Sequence, residues 1–209
     1  MNADTERQPS IRASGISCRR GGRTVFGGLT FAVGPGQFLE ITGPNGSGKT
    51  TLLRALAGIE PIAEGTLDVT DDDLALLGHR DGLKGDLTVE ENLRFWAEMH
   101  GRQNYRELMD RFEFLSIGQR PVRFLSAGQR KRAALASLMA SERRIWLLDE
   151  PLTALDPGWA GKVIDAVTEH CATGGISVIT TLEKTIPSAA AMVDLSPTSG
   201  NTRAIGGQN

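Results

Sequence analysis

Cysteine and long apolar runs are both scarce in this sequence. Cys18 and Cys171 are the only cysteines among 209 residues, so we expect no disulfide framework and a reducing compartment. A C-x-x-C-H motif is missing, which excludes covalent haem attachment by that route. No apolar run approaches the roughly 20 residues that a membrane-spanning helix needs, and residues 1–9 carry no apolar signal core. We therefore expect a cytoplasmic protein whose membrane role, if it has one, comes through a partner.

An excess of positive charge is also missing. The chain has 23 Lys and Arg against 25 Asp and Glu, a net charge of −2. Binding of nucleic acid through bulk charge is therefore not expected. With 40% hydrophobic and 23% charged residues, the composition is that of an ordinary globular protein, and the length predicts one large domain or two small ones.

A glycine-rich segment organises the chain. It reads G-x-x-x-x-G-K-T over Gly43, Pro44, Asn45, Gly46, Ser47, Gly48, Lys49 and Thr50. Residues 38–42 before it are strand-like, and good helix formers follow from Thr51, which we add to the nucleotide-binding set. Inward backbone N–H groups and about half a positive charge at the helix start favour a phosphate-binding loop over a plain glycine turn. Lys49 would meet the β- and γ-phosphates of a nucleotide, and Thr50 would offer its hydroxyl to Mg²⁺.

Buried strands alternate with helices along the rest of the chain. Residues 145–148 and 176–180 are apolar enough for parallel strands covered on both faces. Residues 88–91 and 126–129 each form a capping box, with Thr or Ser followed three residues later by Glu or Gln. This alternation predicts an α/β fold with a mainly parallel core sheet. The acidic triplet at 71–73 is either a metal site or a solvated turn, and residues 130–132 are either a solvated helix face or phosphate-facing cations.

Two carboxylates end the apolar run at residues 145–148. Asp149 would lie beside the phosphate loop and hold Mg²⁺, and Glu150 would polarise a water that faces the γ-phosphate. An apolar run that ends in Asp-Glu is weak evidence alone, but it is strong evidence behind a good phosphate loop.

The combined motifs resemble those of the nucleotide-binding subunits of ATP-binding cassette (ABC) transporters. Leu125-Ser126-Ala127-Gly128-Gln129 resembles the family signature Leu-Ser-Gly-Gly-Gln, residues 148–151 resemble the Walker B end, and residues 154–156 resemble the D-loop. Within the family, residues 77–95 are most similar to the ATP-binding subunits of cytochrome c maturation (Ccm) haem exporters.

The resemblance implies a P-loop NTPase core with an N-terminal antiparallel β subdomain and a helical subdomain, all in one ABC ATPase domain over residues 1–209. The core and β subdomain would take residues 10–78 and 143–185, the helical signature subdomain 79–142, and a tail 186–209.

The family arrangement also implies partners and a location. Two copies would form a head-to-tail homodimer, with two ATP molecules at the interface. Ser126, Ala127, Gly128 and Gln129 of one copy would meet the γ-phosphate held by the other copy's loop. Dimer opening and closing would pass to integral membrane subunits docked near residues 79–115. The protein would then sit on the cytoplasmic face of the inner membrane.

Three residues depart from the family pattern. His79 stands where the family has a glutamine near Mg²⁺ and water, and is either a polar site residue or a buried structural histidine. Arg20 stands where the family stacks an aromatic on adenine, and is either a stacking guanidinium or a surface arginine. Leu182 stands where the family has its switch histidine. Leucine cannot bond the γ-phosphate, so we expect intact ATP binding and slow hydrolysis, or rescue by another group.

Three functions remain open at this point: an ATPase motor for export, an ATP-gated dimerisation switch with little hydrolysis, and an ATPase of a different exporter. Leu182 favours the switch, and Glu150 argues against it. A soluble ABC ATPase that acts on DNA or ribosomes is disfavoured, because the sequence has no basic excess and no second cassette.

Overall fold

The computed structural model describes residues 8–69, 74–78, 81–182, 191–196 and 204–206. The acidic triplet at 71–73 and the candidate His79 lie outside the described residues. Two compact units make up the chain. The first comprises residues 1–76, 144–151 and 162–209, and the second comprises residues 77–143 and 152–161.

The strands, in chain order, are β1 (Ile11–Arg20), β2 (Arg23–Val33), β3 (Phe38–Thr42), β4 (Glu64–Val69), β5 (Leu74–Leu77), β6 (Ile145–Leu148), β7 (Ile176–Thr180), β8 (Ala191–Asp194) and β9 (Ala204–Gly206). The α-helices are α1 (Lys49–Leu56), α2 (Val89–Met99), α3 (Tyr105–Arg111), α4 (Ala127–Ala140) and α5 (Pro157–Ala172).

The larger sheet carries the phosphate loop. Its six strands have the order β5-β6-β7-β3-β8-β9, and β3 pairs in parallel with β7 on one side and β8 on the other. All residues of β3, β6 and β7 are buried, as the apolar sequences of β6 and β7 predict. The expected α/β fold with a mainly parallel sheet is therefore confirmed.

The smaller sheet is antiparallel and has the order β2-β1-β4. One core joins it to the larger sheet, and α1 contributes Leu52, Leu53 and Leu56 to that core. Alternation along β2 buries Leu29, Phe31 and Val33 and leaves the intervening residues exposed. The predicted antiparallel β subdomain is present.

The second unit is mainly helical. Thr88 caps α2 through a capping box, and Val89, Leu93 and Ala97 bury one stripe of that helix. α4 begins in the same way at Ser126 and is buried through Leu135, Ala136 and Leu138. Two of the predicted helix starts thus coincide with capping boxes in the structure.

Both cysteines are free and buried. Burial raises the pKa of the Cys18 and Cys171 thiols, so neither is a ready nucleophile or ligand. No helix within the described ranges combines the length and apolar character required to span a bilayer.

Candidate nucleotide-binding site

The loop between β3 and α1 has the backbone that its glycines allow. Gly43, Gly46 and Gly48 adopt φ values of 146°, 82° and 102°, a region that residues with a Cβ rarely enter. Steric crowding adds to this requirement, because a Cβ on Gly48 would lie 2.7 Å from Val25 Cγ1. Within this loop Ser47 Oγ is buried and has no hydrogen-bond partner. The loop therefore keeps an unused polar group at the place where phosphate oxygens are expected.

Lys49 is the first residue of α1, and its side chain folds back over the loop. Its Nζ atom donates to Gly43 O at 2.7 Å and to Pro44 O at 3.2 Å, and it lies 3.4 Å from Glu150 Oε1. Lys49 is only 5% exposed. The cation is thus held by two carbonyls and one carboxylate, and phosphate oxygens would compete for the same ammonium hydrogens.

A chain of hydrogen bonds links the loop to the carboxyl end of β6. Thr50 Oγ1 donates to Asp149 Oδ2 at 2.8 Å, and Thr180 Oγ1 donates to Asp149 Oδ1 at 2.9 Å. The backbone N–H of Glu150 donates to Thr180 Oγ1 at 2.8 Å. The carboxyl ends of three parallel strands, β3, β6 and β7, thereby meet at one edge of the sheet.

Glu150 has an unusual backbone for a residue with a side chain. Its φ is 47°, a left-handed conformation that costs on the order of 1–3 kcal/mol and persists where the surroundings hold it. Here the contacts with Thr180 and Lys49 hold it. The strain is placed at the carboxylate that the sequence predicts to activate water.

The donor set at this edge fits Mg²⁺ bound together with a triphosphate. Thr50 and Asp149 offer oxygens, which hard cations prefer. Within the described residues no group of three or more His, Cys, Asp or Glu side chains could hold a metal. Mg²⁺ is usually bound by one or two protein oxygens, with waters and phosphate oxygens completing its shell. The residues present therefore suit a metal that arrives with its nucleotide.

The signature segment begins α4 in the second unit. Ser126 Oγ accepts the N–H of Gln129, and the Gln129 side chain accepts the N–H of Ser126. A Cβ on Gly128 would lie 3.1 Å from the carbonyl oxygen of Ala154 in the D-loop segment. A side chain at position 128 would therefore crowd this carbonyl, whereas Ala127 has its Cβ where the family signature has glycine.

Two of the three cations after the signature, Arg130 and Arg132, make contacts within the second unit. The Arg130 guanidinium makes a bidentate pair with Asp81, which raises the pKa of Arg130. Arg132 is 13% exposed and lies over the Trp159 ring at 4.2 Å from the ring centre. Phosphate contact by Arg130 or Arg132 would require these local pairs to break.

Arg20 and Leu182 lie at the ends of strands, and the remaining candidates lie in the phosphate loop and α1. Arg20 is the last residue of β1 and is exposed. In the register of β1 with β2 it lies opposite Arg23. Leu182 follows β7 and is 50% exposed. Asn45 and Gly46 are exposed at the tip of the phosphate loop, and Thr51 is half-buried in the first turn of α1.

Sequence reasoning missed three hydrogen bonds at the end of β7. It placed residues 176–180 in a buried strand and gave Thr180 and Thr181 no part in the site. In the structure Thr180 bonds Asp149 and Glu150, while Thr181 Oγ1 donates to Glu40 Oε1 at 2.9 Å. Paired threonines at the carboxyl end of a buried strand were the available signal, because buried hydroxyls require partners.

Comparison with known proteins gives consistent matches. Residues 26–153 match the family model described as ABC transporter. The cytochrome c biogenesis ATP-binding export protein CcmA of Paracoccus denitrificans (strain Pd 1222) is 43% identical over 166 residues, 79% of this chain and 79% of that protein. The protein of the same description from Roseobacter denitrificans (strain ATCC 33942 / OCh 114) is 38% identical over 198 residues, 95% of this chain and 96% of that protein.

A solved structure shares the fold. The putative ABC transporter ATP-binding protein from Pyrococcus furiosus superposes with a TM-score of 0.77 at 24% identity, covering 89% of this chain and 97% of that one.

Proposed function

Because the chain belongs to the ABC transporter ATP-binding proteins and, among them, to the CcmA export proteins, we propose that it powers haem export in cytochrome c biogenesis. The observation that carries the ATPase assignment is the pairing of the phosphate loop with the strand-end carboxylates: Lys49 lies against Glu150, and Thr50 donates to Asp149. The identification of haem as the transported species rests on the resemblance to the Ccm exporters. No side chain of this chain identifies it.

Each residue of this cluster has a part in phosphoryl transfer. The loop N–H groups and Lys49 bind the β- and γ-phosphates, while Thr50 and Asp149 supply oxygens to Mg²⁺, which neutralises charge on the phosphates when bound. Glu150 accepts a proton from the water that attacks the γ-phosphate. Its contact with Lys49 supports this part, because nucleotide that draws Lys49 towards phosphate leaves the carboxylate available for water.

The working form in this proposal is a head-to-tail homodimer. α4 presents the positive end of its dipole at its start, and Ser126 to Gln129 of one copy would meet the γ-phosphate in the other copy's loop. Each charge-assisted bond contributes about 1.5–3 kcal/mol, so ATP holds the dimer closed and its hydrolysis opens it. The second unit, residues 77–143 and 152–161, serves as the signature subdomain.

The coupling is to integral membrane subunits at the cytoplasmic face of the inner membrane, where the chain sits peripherally. α2 supports a docking role near residues 79–115, because Phe95 and Met99 expose 40% and 51% of their surface. Covalent haem and nucleic acid have no part in the proposal. Arg20 stacks on the base, and His79 approaches Mg²⁺ and the attacking water.

Leu182 makes hydrolysis slow in this proposal. A switch histidine would bond the γ-phosphate, and losing one preorganised donor at such a site costs on the order of 10²–10³ in rate. The test is phosphate release by the purified chain with its membrane subunits, comparing wild type, Leu182→His and, as matched control, Leu182→Ala. We expect Leu182→His alone to raise turnover. If wild type already turns over ATP at the rate usual for the family and Leu182→His does not change that rate, the assignment of slow hydrolysis is wrong.

A second candidate is an ATP-gated dimerisation switch with little turnover, which the exposed Leu182 favours. A third is the ATPase of a different exporter. Isolation of the native membrane partners tests this third candidate, because partners without a role in cytochrome maturation would exclude haem as the transported species.

A further inference from the structure

Thr180 is a buried residue in direct contact with both carboxylate-bearing residues of the site. It ends β7 and has no exposed surface. Its Oγ1 donates to Asp149 Oδ1 at 2.9 Å and accepts the backbone N–H of Glu150 at 2.8 Å. One hydroxyl therefore joins a candidate metal ligand to the candidate general base.

The chemistry of a hydroxyl fixes the direction of these bonds. A threonine has one hydrogen to give, and here that hydrogen goes to Asp149. Thr50 donates to the other oxygen of the same carboxylate. Asp149 is thus oriented from both sides, and its orientation is linked through Thr180 to the backbone of Glu150.

Glu150 needs such support more than an ordinary residue does. Its left-handed backbone sets the direction in which the carboxylate leaves the chain, and the bond from its N–H to Thr180 holds that backbone. Leu182, two residues beyond Thr180, brings no polar group to the site. Thr180 brings a polar group of this strand end to both Asp149 and Glu150.

We propose that Thr180 is a positioning residue for ATP hydrolysis: its hydroxyl holds Glu150 and Asp149 in their working arrangement. The inference rests on the proposed ATPase function. It assigns Thr180 no contact with nucleotide, and Thr50 still orients Asp149 when the Thr180 hydroxyl is removed. The effect of Thr180 therefore falls mainly on turnover, through Glu150, and not on nucleotide affinity. Small displacements of a catalytic group are costly, because about 1 Å of misplacement can lower a rate about 10²-fold.

The chain provides a matched control one residue away. Thr181 is also buried, and its hydroxyl donates to the fully buried Glu40 at 2.9 Å. Thr181→Val removes a buried hydroxyl and leaves a buried polar partner, as Thr180→Val does, but it touches neither Asp149 nor Glu150. General loss of stability should therefore affect both variants, and loss of positioning should affect only Thr180→Val.

The experiment uses the full chain with its membrane subunits and measures ATP affinity, kcat and thermal stability. We expect Thr180→Val to lower kcat about tenfold or more with a dissociation constant for Mg-ATP close to that of wild type. Thr180→Ser, which keeps the hydroxyl, should restore most of the turnover, and Thr181→Val should keep it. If Thr180→Val does not fold, Thr180→Cys replaces it, since a thiol is a weak donor.

Two outcomes would overturn the positioning role of Thr180 and leave the proposed function standing. In the first, Thr180→Val turns over ATP at the wild-type rate. In the second, Thr180→Val and Thr181→Val lose the same fraction of kcat. The proposed function fails separately if wild type does not bind ATP or if Glu150→Gln leaves turnover unchanged, and the positioning role fails with it.

Discussion

Lys49 carries a full positive charge in a position with almost no solvent exposure. Two loop carbonyls and the Glu150 carboxylate compensate for its lost hydration. A triphosphate would bring several negative oxygens to the same ammonium group. Lys49 therefore both stabilises the loop and binds nucleotide. A substitution should affect the stability of the loop and the affinity for nucleotide.

The first prediction concerns Lys49→Ala. Loss of one or more charge-assisted bonds, each about 1.5–3 kcal/mol, should weaken Mg-ATP binding by at least about tenfold. Equilibrium binding of Mg-ATP to the purified chain measures this, with Lys84→Ala as control, since Lys84 lies over the Phe95 ring in the second unit. Equal affinities for wild type and Lys49→Ala would contradict the placement of the phosphates.

Part of the site could be predicted at this scale, and part could not. The meeting of Thr50 with Asp149 follows from a general rule, because a phosphate loop and a strand-end carboxylate share one edge of a parallel sheet. The double contact of Thr180 could not be predicted, because it depends on the register in which Leu148 pairs with Ile179. No local pattern fixes that register.

Helix α4 shows how one element combines a structural cap with a surface for a ligand. Its capping box uses the Ser126 hydroxyl and the Gln129 side chain to satisfy each other's backbone N–H groups. In the proposed dimer the same helix start meets phosphate. The cap and the phosphate contact make different demands on position 126, so substitutions there can separate them.

The second prediction uses that separation. Ser126→Ala should lower the free energy of unfolding by about 1 kcal/mol, because the cap is lost. Ser126→Asp keeps a capping oxygen and should retain most of the stability, yet its charge should repel the γ-phosphate and prevent ATP-dependent dimerisation. Urea unfolding and light scattering with Mg-ATP measure the two effects.

Thr88→Ala is the control for the Ser126 variants, because it removes the corresponding cap of α2. It should lose similar stability and still dimerise with ATP. A Ser126→Asp chain that dimerises as wild type does would show that the signature helix does not contact phosphate.

Some elements gave no usable sequence signal. β8 and β9 add two strands at one edge of the larger sheet, where the sequence predicts only a tail. β8 has four residues and only Val193 of them is buried, so neither length nor alternation separates it from a loop. Its strand conformation comes from pairing with β3, a tertiary effect that propensity does not contain.

At the scale of the whole molecule, the proposed cycle alternates between single chains and an ATP-bound pair. Glu150 decides how long the pair lasts, because hydrolysis removes the γ-phosphate that joins the two copies. Leu182 would lengthen that lifetime in the natural chain. The motor and the switch therefore differ in dimer lifetime more than in dimer structure.

The third prediction compares wild type with Glu150→Gln. The amide keeps the shape of the carboxylate but cannot take a proton, so with Mg-ATP the variant should form a long-lived dimer. Size-exclusion chromatography with light scattering measures the dimer fraction over time. Under the motor proposal the wild-type dimer decays faster than that of Glu150→Gln. Equal lifetimes would favour the switch, and no dimer for either chain would contradict both.

The order of the chain has a mechanical consequence. Residues 144–151, which include β6, Asp149 and Glu150, belong to the first unit, but the chain before and after them belongs to the second. The strand that bears the reacting carboxylates is therefore tethered at both ends to the mainly helical unit. The backbone joins these carboxylates to that unit on both sides, so a change of chain length near residue 143 would act on them without altering a motif residue.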